Sequence, residues 1–116
     1  MISPGSATRI FLAAGPTDMR RGFDGLAELV RHRLAGDPQS GHWFVFCNRR
    51  RSRIKVLYFD GSGFWLCSKR LEAGSFSWPS LDSSAVVHLS PEELALLVGG
   101  IELERARLKD WWRKAV

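Results

Sequence analysis

Long hydrophobic runs are absent from this 116-residue sequence. No apolar stretch approaches the roughly 18 residues of a membrane span, so no membrane association is expected. The start, Met1-Ile2-Ser3-Pro4-Gly5-Ser6, lacks the basic segment and apolar core of a signal peptide, and the expected compartment is the cytoplasm. Cysteine is scarce: Cys47 and Cys67 are too few for a disulfide scaffold and show no CxxC spacing. His42 and Cys47 stand five apart in one apparent strand, an odd offset that puts them on opposite faces and argues against shared metal ligation. No metal and no other cofactor is expected. Lysine is scarce too, with 4 Lys against 13 Arg behind a net charge of +5. Arginine makes bidentate contacts to phosphates and guanine edges that lysine cannot reproduce, so the skew is a first functional clue.

What is present is enough for one packed domain. At 45% apolar and 11% aromatic the chain can build a core, and its length excludes architectures such as a barrel of about 250 residues. Thr8 to Ala14 reads as a strand closed by Gly15-Pro16. Thr17 or Asp18 can then cap a helix whose apolar stripe runs Phe23, Leu26, Ala27, Val30 and Leu34, ended by Gly36-Asp37-Pro38. His42 to Cys47 is apolar on both faces, with Trp43 and Val45 on one and Phe44 and Phe46 on the other, as a central strand requires. Ile54 to Phe59, Phe64 to Arg70, Ser75 to Trp78 and Val86 to Leu89 read as further strands, with Asp60-Gly61-Ser62-Gly63 a strong turn. Short turns between successive strands point to an antiparallel meander rather than parallel units. Ser90-Pro91-Glu92-Glu93 is a capping box opening a second helix that buries Leu94, Leu97 and Val98 and stops at Gly99-Gly100. The expected architecture is therefore α+β: about five strands in a mainly antiparallel sheet, two helices, one domain over residues 1–103, and a charged Trp-containing tail over 104–116.

The densest chemical feature is Asn48-Arg49-Arg50-Arg51-Ser52-Arg53, placed at a hairpin tip with no acid nearby. Four projecting guanidinium groups repel one another unless anions are near, which suits nucleic-acid phosphates; the alternative is a solvated turn that keeps a hydrophobic hairpin soluble. Arg20 and Arg21 oppose the dipole at the first helix's start, where they could help backbone N–H groups grip a phosphate or pair with Asp18 or Asp24. Lys69 and Arg70 extend a basic stripe from the tip. Trp43, Phe44, Phe46, Tyr58, Phe59, Phe64 and Trp65 are expected mostly in the core. Trp78, before Pro79, and the Trp111-Trp112 pair are less easily absorbed and suit anchoring of a protein partner. Catalysis is poorly supported. Asp18, Asp24, Asp37, Asp60, Glu72 and Asp82 are scattered among turns and caps. Gly61-Ser62-Gly63 lacks the helix and Lys of a phosphate loop, and no serine has a nucleophile-elbow context.

Several uncommon blocks recur in register with a known family. They are Phe11-Leu12-Ala13-Ala14-Gly15-Pro16-Thr17-Asp18-Met19-Arg20, Gly22-Phe23-Asp24-Gly25-Leu26 and Asp37-Pro38-Gln39-Ser40-Gly41-His42. Phe44-Val45-Phe46-Cys47-Asn48-Arg49-Arg50, Arg53-Ile54-Lys55-Val56-Leu57, Lys69-Arg70-Leu71-Glu72 and Phe76-Ser77-Trp78-Pro79 continue the series. Over roughly residues 8–103 the chain resembles the TnpB-type small accessory protein of insertion sequences of the sixty-six family. The resemblance implies a non-enzymatic accessory role in DNA transposition beside a separate, larger transposase. The tail after Leu103 has no family pattern, and Cys47 and Cys67 take no role from it. The expected partners are then DNA, at or near the element's ends, and the transposase or another accessory protein of the same element. A module that binds the transposase without touching nucleic acid is the alternative.

Overall fold

The computed structural model describes residues 4–5, 7–79 and 85–99. Seven elements follow in chain order: β1 (Ile10–Ala13), α1 (Phe23–His32), β2 (Trp43–Cys47), β3 (Arg53–Phe59), β4 (Phe64–Arg70), β5 (Val86–Leu89) and α2 (Pro91–Val98). They form an α+β domain on a single five-stranded sheet of order β4-β3-β2-β1-β5. β2 is the middle strand, and all five of its residues are buried. Its side chains split as the apolar pattern demands. On one face Trp43, Val45 and Cys47 pack with Ile10, Leu12, Val56, Leu94 and Leu97 under α2. Phe44 and Phe46 pack on the other face with Leu26, Ala27 and Val30 of α1.

Three pairings are antiparallel, β1–β5, β2–β3 and β3–β4, but β1 and β2 run parallel, with Ile10 opposite Trp43 and Leu12 opposite Val45. The meander expected from short turns therefore fails at this one pair. A parallel pair needs a crossover of a dozen or more residues, and the connection through α1 supplies it.

Two local expectations are corrected. Neither Thr17 nor Asp18 caps α1, which begins at Phe23 after Gly22 with no side-chain cap. The Thr17 N–H ties that residue to the Cys47 carbonyl at 2.7 Å, with its hydroxyl buried and, among the described residues, unpartnered five residues before Gly22, and the Asp18 carboxylate takes the Arg20 backbone N–H and guanidinium. The segment Ser75 to Trp78 is not a strand. It crosses the end of the sheet as irregular chain, burying Phe76 and Trp78, and the Trp78 indole N–H donates to the Ala14 carbonyl at 3.1 Å.

At α2 the capping box forms as read: Ser90 Oγ accepts from the Glu93 N–H at 3.1 Å, and the Ser90 N–H donates to Glu93 Oε1 at 2.7 Å. The end of α1 closes differently, since Ala35 rather than a glycine takes a positive φ of 51°. Gly36 then passes so close to the core that a Cβ there would stand 3.3 Å from both Phe44 and Val30. Trp65, expected in the core, is half-exposed on edge strand β4, stacked near Tyr58, with its indole N–H on Asp60 Oδ2 at 2.8 Å.

Candidate nucleic-acid interface

Because β1 and β2 are parallel, both end at the same end of the sheet, where antiparallel β3 begins and β4 finishes. The topology thus gathers the loop after β1, the β2–β3 turn and the end of β4 at one place. Arg20 and Arg21, Arg49 to Arg53, and Lys69 with Arg70 all sit on these segments. From Pro38 to Phe59 the chain carries no acid at all.

The β2–β3 turn is built on the Asn48 side chain. Its Oδ1 accepts from the N–H of Ser52 at 2.9 Å and of Arg53 at 3.1 Å, while its Nδ2 donates to Ser52 Oγ at 3.1 Å. Arg51 closes the turn with φ 58°, its N–H on the Asn48 carbonyl. The segment after β4 straps the turn from outside: Leu71 N–H donates to the Ser52 carbonyl at 2.8 Å, and Phe76 N–H to the Arg51 carbonyl at 2.6 Å. The backbone is held from both sides while Arg49, Arg50, Arg51 and Arg53 stand exposed. None of these four has an ion pair among the described residues.

Register adds a second observation. Arg53 and Arg70 are direct partners across β3 and β4. Like charges directly opposite destabilise a sheet, so the pairing is not explained by folding alone. Glu72 relieves one side, with the Arg70 guanidinium 3.2 Å from its carboxylate. Lys69, one residue earlier and on the other face, donates from Nζ to the Val98 carbonyl at 2.6 Å. That places a cation at the C-terminal end of α2, where the helix dipole favours it.

Arg20 and Arg21 precede α1 rather than lying in it. Arg20 forks onto Asp18, Nε at 3.1 Å from both oxygens and Nη2 at 2.7 Å from Oδ2. The hydrogen bonds from the Arg20 side chain and backbone hold the Asp18 carboxyl down at about 2. The Arg20–Arg21 loop is pinned by a residue that sequence reasoning did not single out. Lys55 Nζ donates to the carbonyls of Met19 at 2.8 Å and Arg21 at 2.9 Å. The available signal was a lone cation inside the apolar strand Ile54-Lys55-Val56, opposite Phe46 on the α1 side of the sheet.

Cys47 lies buried at the base of the turn, where desolvation pushes its thiol up to about 12 against the opposing pull of Arg51. Burial thus favours the neutral thiol over the thiolate, the form that reacts. Trp78 also departs from expectation: at 7% exposed it packs in the core rather than standing on the surface. Trp111 and Trp112 lie outside the described residues, as does the proposed boundary at 104. No helix among the described residues is long and apolar enough to cross a membrane.

Fold and site together define a small α+β domain whose cationic loops share one end of the sheet. The chain belongs to the IS66 Orf2-like protein family, whose model matches residues 8–108, and with that family goes an accessory place in the transposition of IS66 insertion sequences. Two relatives come from Sinorhizobium fredii (strain NBRC 101917 / NGR234). The uncharacterized protein y4jC is 44% identical over 109 residues, covering 94% of this chain and 92% of that one. The uncharacterized protein y4hO is 40% identical over 113 residues, covering 97% and 96%. No solved structure gives a significant match.

Proposed function

We propose that this protein is a non-catalytic accessory factor of transposition that holds DNA by its phosphates and helps assemble the transposase complex. The observation that carries the reading is the arginine turn. Arg49, Arg50, Arg51 and Arg53 project from a backbone fixed by Asn48 and by the strap, with no carboxylate neutralising them among the described residues. Arg21 and Arg70 flank it at the same end of the sheet, while Arg20 is paired with Asp18 and Lys69 with the Val98 carbonyl, so those two add charge nearby rather than free donors. Phosphate contacts position a protein without reading sequence, so affinity with little sequence choice is expected.

Binding of the purified chain to a labelled duplex from the element's end, titrated at several salt concentrations, tests this. Four phosphate contacts give a log–log slope of about −3.6, at roughly 0.9 per contact. A slope near zero, or no binding, overturns the reading.

One observation favours a second reading. Arg20 and Arg70 each already hold a carboxylate, on Asp18 and Glu72, so guanidinium groups at this end accept acids as readily as phosphates. On that reading the same end meets an acidic surface of the transposase and no nucleic acid. Co-purification with the transposase that survives nuclease treatment, without duplex binding, selects it.

A further inference from the structure

The base of the arginine turn is hollow. A cleft of about 130 Å³ opens between the turn, the loop after β1 and the strap. Ala14, Pro16 and Trp78 give it an apolar wall, Cys47 and Asn48 a neutral polar floor, and Arg49 and Arg51 its charge. The volume is several times that of one water, about 30 Å³, and well short of the roughly 300 Å³ at which pockets for larger ligands begin. It has room for one small group.

The lining decides which group. The Trp78 indole N–H is committed to the Ala14 carbonyl, and Asn48 Oδ1 to the N–H groups of Ser52 and Arg53. No carboxylate is among the lining residues, and the nearby Asp18 is engaged by Arg20. The charged donors among the lining residues are the guanidinium groups of Arg49 and Arg51, beside an apolar wall where charge is less screened. Two such groups match a dianion better than the single charge of an internal phosphodiester; a phosphate monoester carries about −1.5 to −2.

Arg51 is, besides, the strained member of the turn. A non-glycine residue at φ 58° departs from the preferred backbone of an L-residue, and strain held by surrounding bonds is a mark of functional sites. Here the bonds are those to Asn48 and Phe76, which fix Arg51 whether or not a ligand is present.

We propose that the cleft between Arg49, Arg51 and Trp78 is a binding site for a phosphate monoester. Two sources share that chemistry: the phosphorylated end of a DNA strand, and a small phosphorylated molecule. The first deepens the proposed DNA reading and rests on it; the second does not.

The experiment uses the full chain and three probes: a duplex with hydroxyl ends, the same duplex with phosphorylated ends, and inorganic phosphate. For a DNA end, the phosphorylated duplex binds about tenfold tighter, the worth of one added charge-assisted hydrogen bond. The double variant Arg49→Gln, Arg51→Gly erases that ratio, whereas Arg50→Gln, on the same turn but outside the cleft lining, weakens both duplexes alike and keeps it. For a small molecule, inorganic phosphate raises the melting temperature of the wild type but not of the double variant, even if no duplex binds. That result keeps the cleft and removes the DNA reading. Tight duplex binding with no end preference and no thermal shift by phosphate does the reverse, overturning the cleft while the DNA reading stands. Neither ratio nor shift in a chain that binds no duplex overturns both.

Discussion

The two hairpin turns of this sheet solve the same problem with opposite means. Between β3 and β4, Asp60 Oδ1 accepts from the N–H of Ser62 at 2.9 Å and of Gly63 at 3.0 Å, and Gly61 takes the left-handed position at φ 102°. Between β2 and β3, Asn48 plays the part of the aspartate, and Arg51 takes the left-handed position at φ 58°. The first turn uses the residue that costs least there, and its carboxylate is fully satisfied. The second uses a neutral amide, places a strained arginine where glycine is easiest, and surrounds it with further unpaired guanidinium groups. One turn is shaped for folding. The other gives up stability for a charged surface.

The contrast breaks most sharply when the charge is removed. Replacing Arg49, Arg50, Arg51 and Arg53 together by Ala is expected to abolish most salt-dependent duplex binding. The wild type at a slope of about −3.6 loses about two orders of magnitude in affinity between roughly 50 and 200 mM salt, and the variant's affinity, lower at the outset, barely moves. Equal slopes for the two proteins, both folded by circular dichroism, rule out the turn as the contact.

Next in size is the frame of the arginine turn. Asn48→Ala leaves two backbone N–H groups without their acceptor and costs about 2 kcal/mol in urea unfolding, seen as a lower midpoint at constant slope. Loss of a few tenths only means that water or Ser52 replaces the amide. Smaller still is the exchange of backbone strain between the turns. Arg51→Gly is expected to stabilise by about 1 kcal/mol while weakening phosphate binding, and Gly61→Ala to destabilise by about 1 kcal/mol with binding intact. If Arg51→Gly lowers stability, the arginine side chain contributes to folding and the comparison falls.

The smallest effect lies in acid. Hydrogen bonds from the Ser62 backbone, the Trp65 indole and the Gly63 backbone hold Asp60 at about 2, below its ordinary 3.8. A depressed folded-state pKa contributes stability that is complete above the unfolded value and drains away as pH falls from about 4 to about 2. Asp60→Asn should flatten that limb of the melting temperature against pH. Asp18, also at about 2, contributes to the same limb, so Asp18→Asn should flatten it further in the double variant.

Much of this was legible from the chain alone, and the exceptions have definite causes. β2 could be read as central because both of its faces are apolar, and α2 because Ser90, Pro91 and Glu93 each favour a helix start independently. The start of α1 was missed because a carboxylate two residues from an arginine has a stronger partner than a helix end. Trp65 and Trp78 exchanged their expected places: alternation along β4 assigns Trp65 a face but not whether anything covers it, and the fold-back that buries Trp78 against Ala14 is a contact between distant segments. The turn of four arginines was visible as a motif. So was its extension by Lys69 and Arg70; its meeting with Arg21 was not, because that depends on the parallel pairing of β1 with β2, a contact between segments more than thirty residues apart. Lys55 was overlooked for the same reason: its two acceptors lie in a distant loop.

The seven residues of β3 separate the two turns by about 20 Å. The β3–β4 turn carries Asp60 and no cation, while the β2–β3 turn carries four arginines, so charge is unevenly placed along the strand that joins them. In the field of a polyanion such a body feels a torque before it feels a contact. On the proposed DNA reading, collisions are then expected to favour the arginine end leading, and the fraction of productive encounters to rise as salt is lowered. On that reading the sheet that carries the core also serves to aim it.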